Sequence, residues 1–209
     1  MIVDDHSIVR FGIRSLLSHN KQMDVCAEAE DRASAFREFA QHKPDIILMD
    51  ISIDGNGLEL TKQFIQLAPH VKIIIISMHD ECLYADRALR AGAKGYLMKR
   101  DASLLLLNAL DSVIKGDIYL SESMTKLILK KMASTGNSVS LNEEKLSDRE
   151  LEVFNLIGEG YPTKQISQKL KLSPKTIETY QEHIKEKLHI KDSTELKKQA
   201  IAWRNSHLS

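Results

Sequence analysis

The chain has 209 residues, enough for two modest domains, each with its own core. Its 29 Lys and Arg balance 29 Asp and Glu, and 43% hydrophobic content is ordinary for a folded protein. That balance excludes a protein that holds polyanions by bulk charge. No apolar run approaches the ~18 residues of a membrane span, and the start passes at once into acid, unlike a signal peptide.

The first half alternates strand and helix patterns. Met1–Val3 reads as a strand running into Asp4 and Asp5. Ser7–Ser18 reads as a helix with Ile8, Phe11, Ile13, Leu16 and Leu17 apolar. Asp24–Ala29 reads as a second strand, and Arg32–His42 as a helix stopped by Pro44. Asp45–Met49 is a continuous apolar run ending on Asp50, the pattern of a strand covered on both faces. A helix over Leu58–Leu67 follows. Next come a strand of four isoleucines, Lys72–Ser77, and a helix over Cys82–Ala91 closed by Gly92 as a left-handed cap. The last pair is a strand, Gly95–Met98, and a helix, Ala102–Lys115, closed by Gly116. Five strands with intervening helices imply right-handed crossovers and a doubly wound parallel sheet. Cys26 and Cys82 have no metal-ligand spacing and sit in apolar segments, so two buried thiols in a reducing cytoplasm are expected.

Ser121–Lys131 carries a helical stripe of Met124, Leu127 and Ile128. The small polar residues of Ser134–Ser140 read as a linker. Beyond it the pattern is all helical. Ser147-Asp148-Arg149-Glu150 is a capping box opening a helix that runs to about Ile157. Thr163 is expected to cap a second helix. Ser173 caps a third, with Pro174 at its first position, running to about Leu188. Asp192 or Ser193 caps a fourth, over Thr194–Asn205. Two helices joined by a short turn spell a helix-turn-helix.

A parallel sheet gathers its chemistry where strands end. Asp4, Asp5, Asp50, Ser77 and Lys99 all fall at such ends. Carboxylate oxygens suit Mg²⁺, Asp50 suits a nucleophile toward phosphorus, and Lys99 and Ser77 suit phosphoryl oxygens. Tyr96, on the last strand, can move between outward and buried positions as Ser77 moves. Taken singly, Asp4-Asp5 is a turn with acids and Lys99 a solvated strand end. Their joint placement carries the argument.

Val3-Asp4-Asp5-His6, Asp45–Asp50, Ser77 and Ala91–Lys99 resemble the receiver domain of bacterial two-component response regulators, whose fold is flavodoxin-like. The resemblance covers nearly all of residues 1–116. It implies phosphotransfer from a histidine kinase to Asp50, Mg²⁺ held by Asp4, Asp5, Asp50 and the Ser52 carbonyl, and Ser77 with Tyr96 as a switch pair. Two features depart from the family. Only Met1 precedes Ile2-Val3, which reads as a truncated start, and each missing buried apolar residue would cost about 1.5–3 kcal/mol. The loop Ile51–Gly57 lacks the usual proline and is one residue short, which bears on the Ser52 contact.

On the third tail helix, Glu178, Thr179 and Glu182 point outward at the leading end, opposite Ile177 and Ile184. Glu can accept from cytosine and Thr can touch the thymine methyl. Lys164, Lys175, Lys185 and the Thr163 hydroxyl suit phosphates, with Thr176 at the helix start. The plainer alternative is a solvated face of i,i+4 pairs. Residues 146–209 hold 11 basic against 9 acidic side chains, so DNA affinity must come from local placement or from two copies. Leu146–Val153, Gly160, Thr163–Ile166, Leu172–Ile177 and Lys187-Leu188 resemble the four-helix LuxR-type DNA-binding domain of NarL/FixJ-type regulators. That resemblance implies pairing of two domains on an inverted repeat through the last helix, here Thr194, Leu196 and Ala200. Gln181 stands where relatives carry Arg or Lys, removing a phosphate contact.

The expected organisation is a receiver at 1–116, a linker with one helix at 117–143, and an all-α DNA-binding domain at 144–209. The expected function is a cytoplasmic, dimeric, non-enzymatic transcription regulator switched by phosphorylation. One rival is a DNA-binding regulator whose receiver only dimerises. Another, a phosphohydrolase of the haloacid dehalogenase type, needs an Asp where this chain has Ser52.

Overall fold

The computed structural model describes residues 1–53, 56–133 and 145–207. The loop residues Asp54 and Gly55, the linker Ser134–Ser140 and the 143/144 domain boundary lie outside them. The chain divides into two compact units, Met1–Ala133 and Ser134–Ser209.

The first unit is a five-stranded parallel sheet in the order β2-β1-β3-β4-β5. Its strands are β1 (Ile2–Val3), β2 (Glu28–Ala29), β3 (Ile46–Met49), β4 (Lys72–Ser77) and β5 (Gly95–Met98). Between them run α1 (Ser7–Leu17), α2 (Arg32–His42), α3 (Gly57–Leu67) and α4 (Glu81–Arg90), followed by α5 (Ala102–Lys115). Strand side chains alternate between faces. Ile2, Leu48, Ile74, Ile76 and Leu97 therefore pack with Ile13, Leu17, Leu106, Leu110 and Val113 of α1 and α5. The other face buries Ile47, Met49, Ile73 and Ile75 completely. Phe64 of α3 is equally buried and stacks on Phe39 of α2 at 4.4 Å. Each such side chain contributes roughly 1.5–3 kcal/mol. The doubly wound fold expected from the strand-helix alternation is the one observed.

Several boundaries differ from expectation. β2 covers only two of its six expected residues, because Ile2 and Val3 are all that β1 pairs with it. Met1–Val3 are nonetheless buried and bonded on both sides: the Met1 amine donates to the Ile46 carbonyl at 2.9 Å and the Ile2 N–H to the Ala27 carbonyl at 3.0 Å. α4 begins one residue early, capped by the Asp80 carboxylate on the Cys82 N–H. A 3₁₀ turn over Lys99–Asp101 separates β5 from α5. Cys26 is exposed and Cys82 half-buried, against the expectation of two buried thiols; the short β2 leaves residues 24–27 outside the sheet.

After α5 the chain passes along β5, where Tyr119 bridges to Gly95, and enters α6 (Glu122–Ala133), which packs on α4.

The second unit holds α7 (Asp148–Gly158), α8 (Thr163–Lys169), α9 (Pro174–Leu188) and α10 (Ser193–His207). Leu151, Phe154, Ile157, Ile166, Ile177, Ile184 and Trp203 form its core. The Ser147–Glu150 capping box and the Ser173 cap form as expected. Asp192 is the cap of α10, accepting from the Thr194 and Glu195 N–H groups. Thr163 does not cap α8. It is the first helical residue, preceded by Pro162, and its hydroxyl instead accepts from Gln181 at 3.2 Å. No helix among the described residues is long and apolar enough to cross a membrane.

Candidate functional site

Parallel pairing puts the ends of β1, β3, β4 and β5 at one edge of the sheet. Asp4 and Asp50, each 2% exposed, follow β1 and β3, and the Asp50 N–H donates to the Val3 carbonyl at 2.8 Å. Lys99, just past β5, reaches both: Nζ lies 2.7 Å from Asp4 Oδ2 and 3.1 Å from Asp50 Oδ2. The Lys99 ammonium and the Ser52 backbone are the groups that favour the charged form of this buried carboxylate. Burial pushes the Asp50 carboxyl above its usual range; the Lys99 charge pulls it back and Asp4 pushes it up again.

Ligand atoms of Asp4, Asp5, His6 and Asp50 all lie within 4.8 Å of one another. His6 Nδ1 is 2.6 Å from Asp5 Oδ1, and the His6 N–H donates to Asp4 Oδ1 at 2.8 Å. A hard divalent cation fits this set, because carboxylate oxygens of Asp4, Asp5 and Asp50 converge there from two strand ends. Ser52 is half-buried beside the pocket, its Oγ 3.2 Å from His79 Nε2.

Ser77 is fully buried at the end of β4, and its Oγ accepts from the His79 N–H at 3.0 Å. Tyr96 is buried too, with its hydroxyl donating to the His79 carbonyl at 2.8 Å. Burial holds that hydroxyl well above its ordinary titration range, so it remains a donor.

Two contributors carry weak sequence signals. The Arg10 guanidinium, in the second turn of α1, donates to the Asp4 carbonyl at 2.7 Å and pairs with Glu28 at 3.3 Å, tying the end of β1 to β2. Gly57 starts α3 against the backbone of Asp50 and Ile51. The only signal for it is a glycine where any small residue would serve a turn.

The second unit presents another surface. Lys175, Glu178, Thr179 and Glu182 are exposed along α9, opposite the buried Ile177 and Ile184. The Thr179 hydroxyl donates to the Lys175 carbonyl at 3.0 Å, and Lys185 pairs with Glu182 at 2.9 Å. Thr176 Oγ1 lies 2.8 Å from Ser173 Oγ, within the helix cap. Lys164 is exposed at the start of α8. Gln181, expected only as a lost phosphate contact, holds α9 to the first residue of α8 through Thr163. Leu196 and Ala200 need correction as docking residues. They are 2% and 0% exposed, buried where α10 packs on α7, and only Thr194 of that trio is exposed.

Glu150 fixes the attitude of α9. It is 3% exposed, accepts from the Ser147 N–H at 2.7 Å and from Lys187 at 2.6 Å, and so joins the start of α7 to the end of α9. Burial alone would raise its carboxyl, but the bonds from Lys187 and Ser147 outweigh that and hold it below its usual range. A depressed folded-state value adds stability above the unfolded value, about pH 4.3, and loses it as pH falls through the folded value. Glu150→Gln is therefore expected to destabilise this unit by about 1–2 kcal/mol at pH 7. The low end applies because Lys187 is 39% exposed. The deficit should shrink below about pH 4, as urea melts at both pH values would show. An equal deficit at both would mean that ionisation of Glu150 contributes nothing.

Comparison with known proteins agrees with this geometry. The family model of the response regulator receiver domain matches residues 1–111, and that of the luxR family of bacterial regulatory proteins matches residues 144–200. The oxygen regulatory protein NreC of Staphylococcus carnosus is 36% identical over 207 residues, covering 96% of this chain and 95% of that protein. The RcsB response regulator of Salmonella typhimurium superposes with a TM-score of 0.65 at 28% identity, over 96% of this chain and 95% of that one. RcsB of Salmonella enterica serovar Typhimurium bound to a promoter in the presence of a phosphomimetic superposes with a TM-score of 0.61 at 28% identity, over 94% and 95% of the two chains. An acid pocket bridged by one lysine at a parallel sheet edge, followed by a helix-turn-helix unit, agrees with both family matches: this chain belongs to the response regulators, phosphorylation-regulated transcription factors that join a receiver domain to a LuxR-type DNA-binding domain.

Proposed function

We propose that Asp50 is the phosphoacceptor and that a histidine kinase is its donor. The observation that carries this is the placement of Asp50: a carboxylate buried at a strand end, 3.1 Å from a lysine ammonium. An Asp50 oxygen attacks the donor's phosphorus, forming an O–P bond as the P–N bond breaks and the imidazole leaves with the electron pair. Lys99 stabilises the charge on the phosphoryl oxygens, and the Ser77 hydroxyl donates to one of them. Asp4, Asp5 and Asp50, with the Ser52 backbone carbonyl, would hold Mg²⁺. When bound, Mg²⁺ offsets the repulsion between the carboxylate and the incoming phosphoryl group. Ser77 and Tyr96 are the switch pair, since both already contact His79.

On this reading residues 1–116 are the receiver, 117–143 the connection, and 144–209 the DNA-binding domain of a cytoplasmic protein that turns over no external substrate. Lys164, Lys175, Lys185 and Thr163 position the domain on phosphates, with Thr176 at the helix entry, while Glu178, Thr179 and Glu182 face base edges. Two copies bind an inverted repeat with half-sites about one helical turn apart. If α10 pairs the copies, it does so through its exposed side, which carries Thr194, Lys197 and Ile201. Phosphorylation shifts a two-state equilibrium toward the paired form.

The test is to add acetyl phosphate and Mg²⁺, then follow intact mass, oligomeric state and promoter affinity. Wild type is expected to gain one phosphoryl group, dimerise and bind DNA more tightly, while Asp50→Ala gains none. An equal adduct in Asp50→Ala would refute the assignment. Promoter binding unchanged by the substitution would favour the phosphorylation-independent regulator.

A further inference from the structure

Tyr96 is held from two directions. Its hydroxyl donates to the His79 carbonyl at 2.8 Å, and its backbone N–H donates to the Tyr119 carbonyl at 3.0 Å. The Tyr119 N–H in turn donates to the Lys94 carbonyl at 2.9 Å. The segment leaving α5 thus covers the free edge of β5, beside the residue proposed as half of the switch. A Cβ on Gly95 would lie 3.2 Å from Tyr119 Cβ, so the approach is close.

The same segment is tied to α4. Glu81 is the first residue of α4, four positions after Ser77. Its carboxylate accepts from the Ser121 hydroxyl and, at 3.3 Å, from the Ser123 hydroxyl. Ser121 Oγ also accepts from the Met124 N–H at 3.1 Å, so the residue bonded to Glu81 is the one that caps α6. Met124 is completely buried, and α6 packs on α4. A charged acceptor makes each of these bonds stronger than a neutral one.

We propose that Glu81, Ser121 and Ser123 form a latch that passes the state of Asp50 to α6, the last helix before the chain enters the second unit. The proposal rests on Asp50 being phosphorylated. A phosphoryl group on Asp50 attracts the Ser77 hydroxyl, and His79 follows, because its N–H is bonded to Ser77 Oγ. His79 is joined to Glu81 through Asp80 alone. Its carbonyl also carries the Tyr96 hydroxyl, so the start of α4 and the edge of β5 move together. The Glu81 carboxylate leaves the two serine hydroxyls, and α6 loosens from α4. This assigns a role in signal transmission to three residues outside the acid pocket.

Backbone amide exchange over residues 119–129 of the full chain tests it. Glu81→Ala without phosphate is expected to raise exchange there about tenfold or more. Phosphorylated wild type should match it, and phosphorylation should add little to Glu81→Ala. Glu81→Gln keeps an acceptor without the charge and should fall between. Ser121→Ala, a change outside α4, should act in the same direction, and an unchanged melting temperature shows that each variant is folded. Wild-type protection in Glu81→Ala would overturn the latch. An Asp50 adduct seen by mass with no change in exchange would uncouple the latch from the pocket while leaving the phosphoacceptor assignment intact. A chain that accepts no phosphoryl group would end both.

Discussion

Replacing Lys99 by Met is expected to lower the rate of Asp50 phosphorylation by about 10²–10³-fold, the usual effect of removing one charge-stabilising donor. It should also destabilise the metal-free protein by about 3–5 kcal/mol at neutral pH, because two buried carboxylates lose their shared cation. Burial already raises the Asp50 carboxyl, and loss of Lys99 raises it further. A raised folded-state value adds stability at low pH that disappears as pH rises through it. The variant's deficit should therefore shrink on acidification, opposite in cause to a lost hydrophobic contact, which would not respond to pH. Mg²⁺ should also restore part of the stability, since a cation bound only by the folded state shifts the equilibrium by mass action. Acetyl phosphate kinetics report the rate, and urea melts at two pH values, with and without Mg²⁺, report the stability. A deficit insensitive to both would show that Lys99 acts through packing and not through charge.

Gly57→Ala is expected to be nearly as damaging, although Gly57 carries no chemistry. A Cβ there would lie 2.1 Å from the Asp50 carbonyl oxygen and 2.8 Å from the Ile51 α-carbon. Both neighbours are backbone and have no rotamer to change. The Gly57 N–H donates to the Ile51 carbonyl at 2.8 Å, so the approach is held in place. Relief requires moving either the first turn of α3 or the end of β3. The cost is about 3 kcal/mol or more, above the usual range for one added methyl in a core. Because Asp50 moves with its backbone, phosphorylation should fall by about 10²-fold for a displacement near 1 Å. Thermal melts and acetyl phosphate kinetics check both effects. A variant with wild-type stability and rate would mean that the loop relaxes freely and that the close approach positions nothing.

The two sites differ in how much of them is local. In the acid pocket Asp4, Asp50, Ser77 and Lys99 each sit at or directly after a strand end, so a strand pattern and the identity of that residue suffice to place them. The surface on α9 is also local: Lys175, Glu178, Thr179 and Glu182 lie one helical turn apart on the exposed side because Ile177 and Ile184 occupy the other. The paired helix was harder to read. Leu196 and Ala200 look like an apolar stripe available for docking, yet the chain buries both against α7. An amphipathic stripe says that a face will be covered. It does not say by what.

The amino-acid sequence by itself determined the alternation of strands and helices, the acids and lysine at strand ends, and the caps at Ser147 and Ser173. Each of these follows from periodicity or from a hydrogen bond spanning three or four residues. Only the tertiary structure decided the contacts between residues far apart in the chain. These are Lys99 across Asp4 and Asp50, Gln181 on Thr163, and Glu81 on Ser121. It also decided that β2 is two residues long and that Cys26 is exposed, because a strand exists only where a neighbour pairs with it. The physical division is between interactions whose partners the chain supplies within a turn or two and interactions that exist only once packing has brought distant backbone together.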